Sequence, residues 1–135
     1  MIATGFDVDL LRRRELAAFR DGILTWVDRV GRDEAARHPE AARFPYLGDG
    51  MEMLERVPGG RPSLGRLHDF NWGVTMSHGA LAGDIPGLGI GATRLAQAIA
   101  RDLFLEDADE HFALMEAVED GELPPTELFV PRESR

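Results

Sequence analysis

The stretch GDIPGLGIGATRLAQAIA, residues 83–100, carries three alternating glycines, Gly87, Gly89 and Gly91, that run straight into helical periodicity. Gly87-Leu88-Gly89-Ile90-Gly91-Ala92 meets the G-x-G-x-x-A form of the dinucleotide-binding turn. That turn needs a buried strand directly before its first glycine and an acid ending the next strand about 20 residues on. Here Pro86 precedes Gly87, and SHGALAGDI, residues 77–85, makes a poor strand. Casting Phe104-Leu105-Glu106 as the second strand would cost the helix its final turn, and no third strand unit follows. A self-contained Rossmann turn therefore does not fit. Two uses of the glycines remain open. The amides and dipole of a helix N-terminus attract negative charge, so residues 85–91 can cradle an electron-rich group. Alternatively, the glycines simply let the helix pack closely on a neighbour.

Outward from this stretch the periodicity is uneven. Ile90, Leu95, Ala98, Ile99, Ala100, Leu103 and Phe104 predict an apolar stripe on the strongest helix of the chain. A second helix is expected over residues 107–119, with Phe112, Leu114, Met115 and Val118 inward. Upstream, Leu10, Leu11, Leu16 and Phe19 predict a helix over residues 8–19. Ile23-Leu24-Thr25-Trp26-Val27 has the composition of a strand, and residues 67–74 (LHDFNWGV) read as a buried strand. Residues 31–43 are ambiguous, with a break at His38-Pro39. Residues 44–50 form a loop with two aromatics, residues 51–57 a turn or two of helix, and residues 75–89 a glycine-punctuated connection. One partial domain is expected over residues 1–120, with a coil or disordered tail over 121–135.

The bulk numbers bound the class. A chain of 135 residues fits one domain and buries about two thirds of its unfolded surface. Without cysteine there is neither a disulfide framework nor a thiolate metal site. The net charge of −9 argues against a nucleic-acid footprint. No signal peptide and no run approaching about 18 apolar residues is present, so the expectation is a cytoplasmic protein without a membrane partner.

Several segments together resemble a known family. IATGF at residues 2–6 resembles the A-T-G-[FY] motif of two-dinucleotide-domain flavoproteins, above all flavin-containing monooxygenases and N-hydroxylases. LHDFNWGVTMSHG (67–79) followed by GDIPGLGIGATRLAQAIARDLF (83–104) resembles their flavin-capping end. FPYLGDGMEMLE (44–55) resembles the substrate-side loop of a subgroup of FAD/NAD(P)-binding oxidoreductases. The resemblance implies an α/β fold: an incomplete C-terminal part of a two-dinucleotide-binding-domain flavoprotein, with a few strands and two main C-terminal helices. It also implies FAD and NAD(P)H as cofactors, a small-molecule substrate, and hydroxylation with O2.

By this analogy the helix dipole faces the pyrimidine side of the isoalloxazine, where negative charge gathers on reduction. Gly5, Asn71, Gly73, Asp84, Ile85, Pro86, Leu88 and Gly89 are then the cofactor-binding residues. No residue stands out as a catalytic acid, base or nucleophile. The chain has neither of the two G-x-G-x-x-G turns such enzymes carry upstream, and only Met1-Ile2 precede the A-T-G motif. It is therefore expected to be a C-terminal segment that binds FAD weakly or not at all by itself, partnered by a missing N-terminal domain. The rival expectation is a small non-catalytic module whose apolar helices, residues 90–118, bury against a partner or a second copy, giving a homo-oligomer.

Other constellations have ordinary readings. His38, His68, His78 and His111 form no metal-ligand pair at standard spacing. Adjacent His68 and Asp69 would lie on opposite faces of a strand. Ser77-His78 lacks a G-x-S-x-G elbow, though on the flavoprotein reading His78 helps shape the substrate pocket. Trp26, Tyr46 and Trp72 can stack on a ring ligand or pack a core. Arg12-Arg13-Arg14 can meet a 2′-phosphate or form a solvated face.

Overall fold

The computed structural model describes Asp9 and residues 12–118. Within it the chain divides into two compact units, Met1–Arg101 and Asp102–Arg135. The expectations for residues 1–8, including Gly5, and for the tail from residue 121 lie outside the described residues.

The first unit is built on irregular antiparallel pairing rather than on continuous strands. Leu24 donates to Leu54 O (2.8 Å) and accepts from Tyr46 N (2.9 Å), so residues 22–26 run between two neighbours. Met53 N donates to Leu67 O (2.8 Å), and Asp69 N to Met51 O (2.9 Å). Among the described residues the ladder condenses to four isolated antiparallel bridges: Ile23 with Glu55, Thr25 with Pro45, Leu47 with Met53, and Glu52 with His68. Ile23, Met51, Leu64 and Val74 are fully buried at its centre, joined by Leu16, Leu47 and Met53.

Several elements differ from the sequence expectations, each for a local reason. The strand expected over residues 23–27 ends early, because α1 begins at Trp26 (Trp26–Val30). Asp28 folds back onto Thr25 and accepts from both its amide (3.0 Å) and its hydroxyl (2.6 Å), which starts the helix. A single turn, α2 (Arg32–Ala35), follows Gly31, whose φ of 85° suits only glycine well. The expected helix over residues 8–19 is, in its described part, a 3-10 turn, Arg14–Leu16. Arg13 is extended there (φ −81°, ψ 107°), with its guanidinium drawn away to Asn71. Residues 51–57 pair as extended chain instead of forming a helix. Met51 adopts φ 67° while wholly buried, a strained combination that the pairing on both sides holds in place.

Residues 67–74 begin extended but close into a 3-10 turn, Trp72–Val74, which leads into α3 (Thr75–His78). The strongest helix, α4, runs Ile85–Glu106. The second unit holds α5 (Ala108–Glu116). Both helices fall where periodicity places them, but their apolar stripes are not buried as expected. Within the first unit α4 buries Gly91 and half-buries Gly87, Leu95 and Ala98, while Ile90 and Ile99 are exposed. Leu103, Phe104, Phe112, Leu114, Met115 and Val118 are also exposed.

Asp28 gives the fold a pH signature. Burial pushes its carboxyl up, but the bonds from Thr25 and the Arg56 guanidinium (Nε–Oδ2 3.1 Å) outweigh that and hold it below the usual range. A depressed carboxylate stabilises the fold above its unfolded pKa, and the contribution is lost as pH falls through the folded value. Asp28→Ala should therefore cost about 1 kcal/mol at neutral pH. Urea melts should show that cost shrinking towards pH 3.

Candidate functional site

The glycines of α4 divide by face. At 100° per residue, Gly87, Gly91, Leu95 and Ala98 fall on one stripe, Gly89, Ile90, Thr93 and Gln97 on another, and Arg94 on the boundary between them. The first stripe packs. A Cβ at Gly87 would meet Ala80 O at 2.2 Å, and one at Gly91 would meet Leu81 O at 2.4 Å and the Phe70 ring at 3.0 Å. Gly89 faces open space, with nothing within 4 Å of a Cβ built there. Close packing is thus the use of Gly87 and Gly91, while Gly89 lies on the solvent side of the helix.

The second stripe lines an open depression of about 460 Å3, formed by Gly89, Ile90, Thr93, Arg94 and Gln97. The helix start beside it presents Asp84, Ile85, Pro86 and Leu88 to solvent, Ile85 at 89% exposure. Gly87 and Leu88 both donate to Asp84 O (3.1 Å each), and Pro86 has no N–H. The Ile85 amide is therefore the donor left at the tip. Five of the expected cofactor residues (Asp84, Ile85, Pro86, Leu88 and Gly89) are gathered in this one turn of helix and its entry.

Asn71 and Gly73 sit together in a different environment. Asn71 Oδ1 accepts from Gly73 N (2.8 Å) and from Arg13 Nη2 (2.7 Å), while its amide donates to Asp69 Oδ1. Gly73 is buried, and a Cβ there would strike Asp69 Oδ2 at 2.0 Å. Asp69 is 3% exposed, with Arg13 Nη1 3.9 Å from Oδ1 and no hydrogen-bond partner on Oδ2. Burial raises its carboxyl above the usual range despite Arg13 and Asn71. This cluster ties residues 12–16 to the core. The neighbouring aromatics connect it to α4: a Cβ at Gly83 would lie 3.0 Å from the Trp72 ring, and Phe70 reaches Gly91.

The loop of residues 48–50 is held by three side chains from three elements. His78 Nε2 bonds Gly48 O (2.9 Å), Arg94 Nε donates to Asp49 O (2.8 Å), and His68 Nδ1 bonds Gly50 O (2.8 Å). Ser77 Oγ accepts from Leu47 N (3.1 Å) and donates to Pro45 O (3.3 Å), so Ser77 and His78 serve the loop separately and form no dyad. His68 and Asp69 likewise have separate partners. Gly50 itself lies against α4, where a Cβ would sit 2.5 Å from Ala98 Cβ. Arg94 was not marked by any sequence motif. Its i+4 spacing from Ile90 is the signal that brings it to the edge of the open face.

The remaining candidates have packing partners. Trp26 meets Tyr46 edge-on (centroids 4.8 Å, 70°), with the Arg29 guanidinium 5.5 Å from the Tyr46 ring centre. Arg12 pairs with Asp9 at 3.5 Å. Among the described residues no three His, Cys, Asp or Glu side chains come together as a metal-ligand set. None of the described helices is long and apolar enough to cross a membrane.

No protein-family model matches the chain, and no solved structure matches it. Its sequence is similar to the FAD-dependent urate hydroxylase of Xanthomonas campestris pv. campestris, 39% identical over 106 residues. The match covers 78% of this chain and 22% of that protein, so the chain spans about a fifth of its relative's length. Most of the chain is thus similar to one part of an FAD-dependent oxidoreductase, and the likeness does not single out the N-hydroxylases among such enzymes.

Proposed function

We propose that this chain forms the flavin-capping part of an FAD- and NAD(P)H-dependent oxidoreductase of the monooxygenase type, in the C-terminal portion of a two-dinucleotide-domain α/β fold. The observation that carries the reading is the 39% identity to the urate hydroxylase over 106 residues. The start of α4 fits the role. Its Ile85 amide and positive dipole end face solvent, and the bare Cα of Gly89 leaves room for a ring edge to approach. Hydride acceptance and oxygen reactivity are the chemistry that FAD supplies when bound. The chain's own contribution is to stabilise negative charge at the helix tip and to fix the adjoining wall. Arg94 and the two histidines hold the 48–50 loop as part of that wall. Urate is the first substrate to test, because the similar enzyme is named for it.

Flavin fluorescence of FAD titrated with the chain tests the reading. The expected affinity is weak, a Kd on the order of 1 mM, about −4 kcal/mol, because a cap alone supplies few contacts. Gly89→Leu should abolish binding with the fold intact, since its side chain enters open space. Binding unchanged in Gly89→Leu would contradict the assignment.

The exposed apolar residues of α4 and α5 favour a second reading, an interaction module. Sedimentation of the chain over a range of concentrations separates the two readings, because self-association that persists with FAD present supports the module.

A further inference from the structure

The described part of the second unit, residues 102–118, pairs exposed apolar side chains with acidic ones. Leu103, Phe104, Leu105, Phe112, Leu114, Met115 and Val118 are each more than half exposed. Residues 102–118 contain no lysine or arginine, and Asp107, Asp109, Glu110 and Glu116 lie on or beside α5. At 100° per residue His111, Leu114 and Met115 form one face of α5, with Phe112 at its edge. Glu110 borders that face on one side, Glu116 and Asp109 lie beyond Phe112 on the other, and Asp107 stands at its N-terminal end. His111 stacks on Phe104 (centroids 5.2 Å, 16°), which ties the end of α4 to α5 within the unit.

We infer that this face is a docking surface for a basic amphipathic helical segment of a protein partner, with Leu114, Met115 and Phe112 taking its apolar side chains and the bordering carboxylates its lysines and arginines. The charge pattern selects this occupant. A second copy laid face to face would set carboxylates against carboxylates, and nucleic acid or an anionic lipid surface would be repelled. A basic amphipathic helix satisfies the apolar centre and the acidic border together, by the helix-in-groove mode. Met115 adds an adaptable contact that tolerates different partner side chains.

Calorimetric titration of the full chain tests this with three short peptides: an amphipathic Leu/Lys helix, the same peptide with Glu for Lys, and a scrambled Leu/Lys sequence. The Leu/Lys helix should bind, with affinity falling as ionic strength rises. The Glu peptide should not bind, and the scrambled one should bind at least about 10-fold more weakly. Leu114→Ser/Met115→Ser and, separately, Glu110→Lys/Glu116→Lys should each weaken the Leu/Lys helix about 10-fold, the second also flattening its salt dependence. Equal binding of helix and scramble overturns the inference, as does unchanged affinity in both double variants. A dimer that Leu114→Ser/Met115→Ser dissolves also overturns it, because the face then belongs to a second copy.

Discussion

Gly87→Ala should destabilise the first unit by about 1–3 kcal/mol, while Gly89→Ala, two residues away on the same helix, should stabilise it by up to about 1 kcal/mol. Both substitutions bring alanine's better helix propensity into the first turns of α4. At Gly89 nothing opposes it, because the added methyl enters open space. At Gly87 the methyl would lie 2.2 Å from Ala80 O and 3.1 Å from its carbonyl carbon, which are backbone atoms that cannot rotate away. The helix or the 80–81 turn must move, and Gly91 and Leu95 on the same stripe would lose their fit. Urea denaturation of the two variants against the parent chain measures both signs at once. Equal effects at the two sites would mean that the glycines do not divide by face.

The second large effect is expected at Arg13. Arg13→Ala removes the charge facing Asp69 and the donor to Asn71, leaving a buried carboxylate with one oxygen already unpaired. Breaking a fully buried pair costs about 3–5 kcal/mol. Arg13 is still a quarter exposed, so about 2 kcal/mol is expected here at neutral pH. The pH dependence has a definite sign. A carboxyl whose folded pKa is raised contributes stability that is present below its unfolded pKa and is lost as pH rises through the folded value. Without Arg13 the carboxyl rises further, so the cost of Arg13→Ala should be large at pH 7 and should shrink in acid, where Asp69 is protonated in both proteins. Asp69→Asn, which keeps the shape and removes the charge, should recover most of the loss in the Arg13→Ala background. Melts at several pH values, with all three variants, check this.

The two signatures run in opposite directions. Asp69 favours acid and Asp28 opposes it, each because of what surrounds its carboxylate: mostly core for Asp69, and three donated hydrogen bonds for Asp28.

Helices α4 and α5 were legible in the sequence because their apolar periodicity extends over several turns. The rest of the first unit was not, because its conformation is set by contacts distant in sequence. Met51 holds a positive φ because Gly48 O and Asp69 N bond its two backbone groups. Thr25 and Asp28 did carry a capping signature, but the β-branched run around them read as a strand. In the site, five of the expected residues come together at the start of α4. Asn71 and Gly73 instead surround the carboxyl of Asp69, and Gly5 lies outside the described residues. The orientation of each glycine could not be read locally, because it depends on the path of residues 80–81 across the helix. Arg94 and His78 reach backbone carbonyls of the 48–50 loop, about 30 to 45 residues away in sequence, which no motif records.

The tip of α4 is the proposed flavin-facing surface. Amide-resolved NMR of the chain titrated with FAD to millimolar concentration tests it most directly. Shifts should concentrate at residues 84–91, strongest at Ile85 and Gly89 and absent in Gly89→Leu. Shifts centred elsewhere in the chain, or shifts at residues 84–91 that persist unchanged in Gly89→Leu, would contradict it.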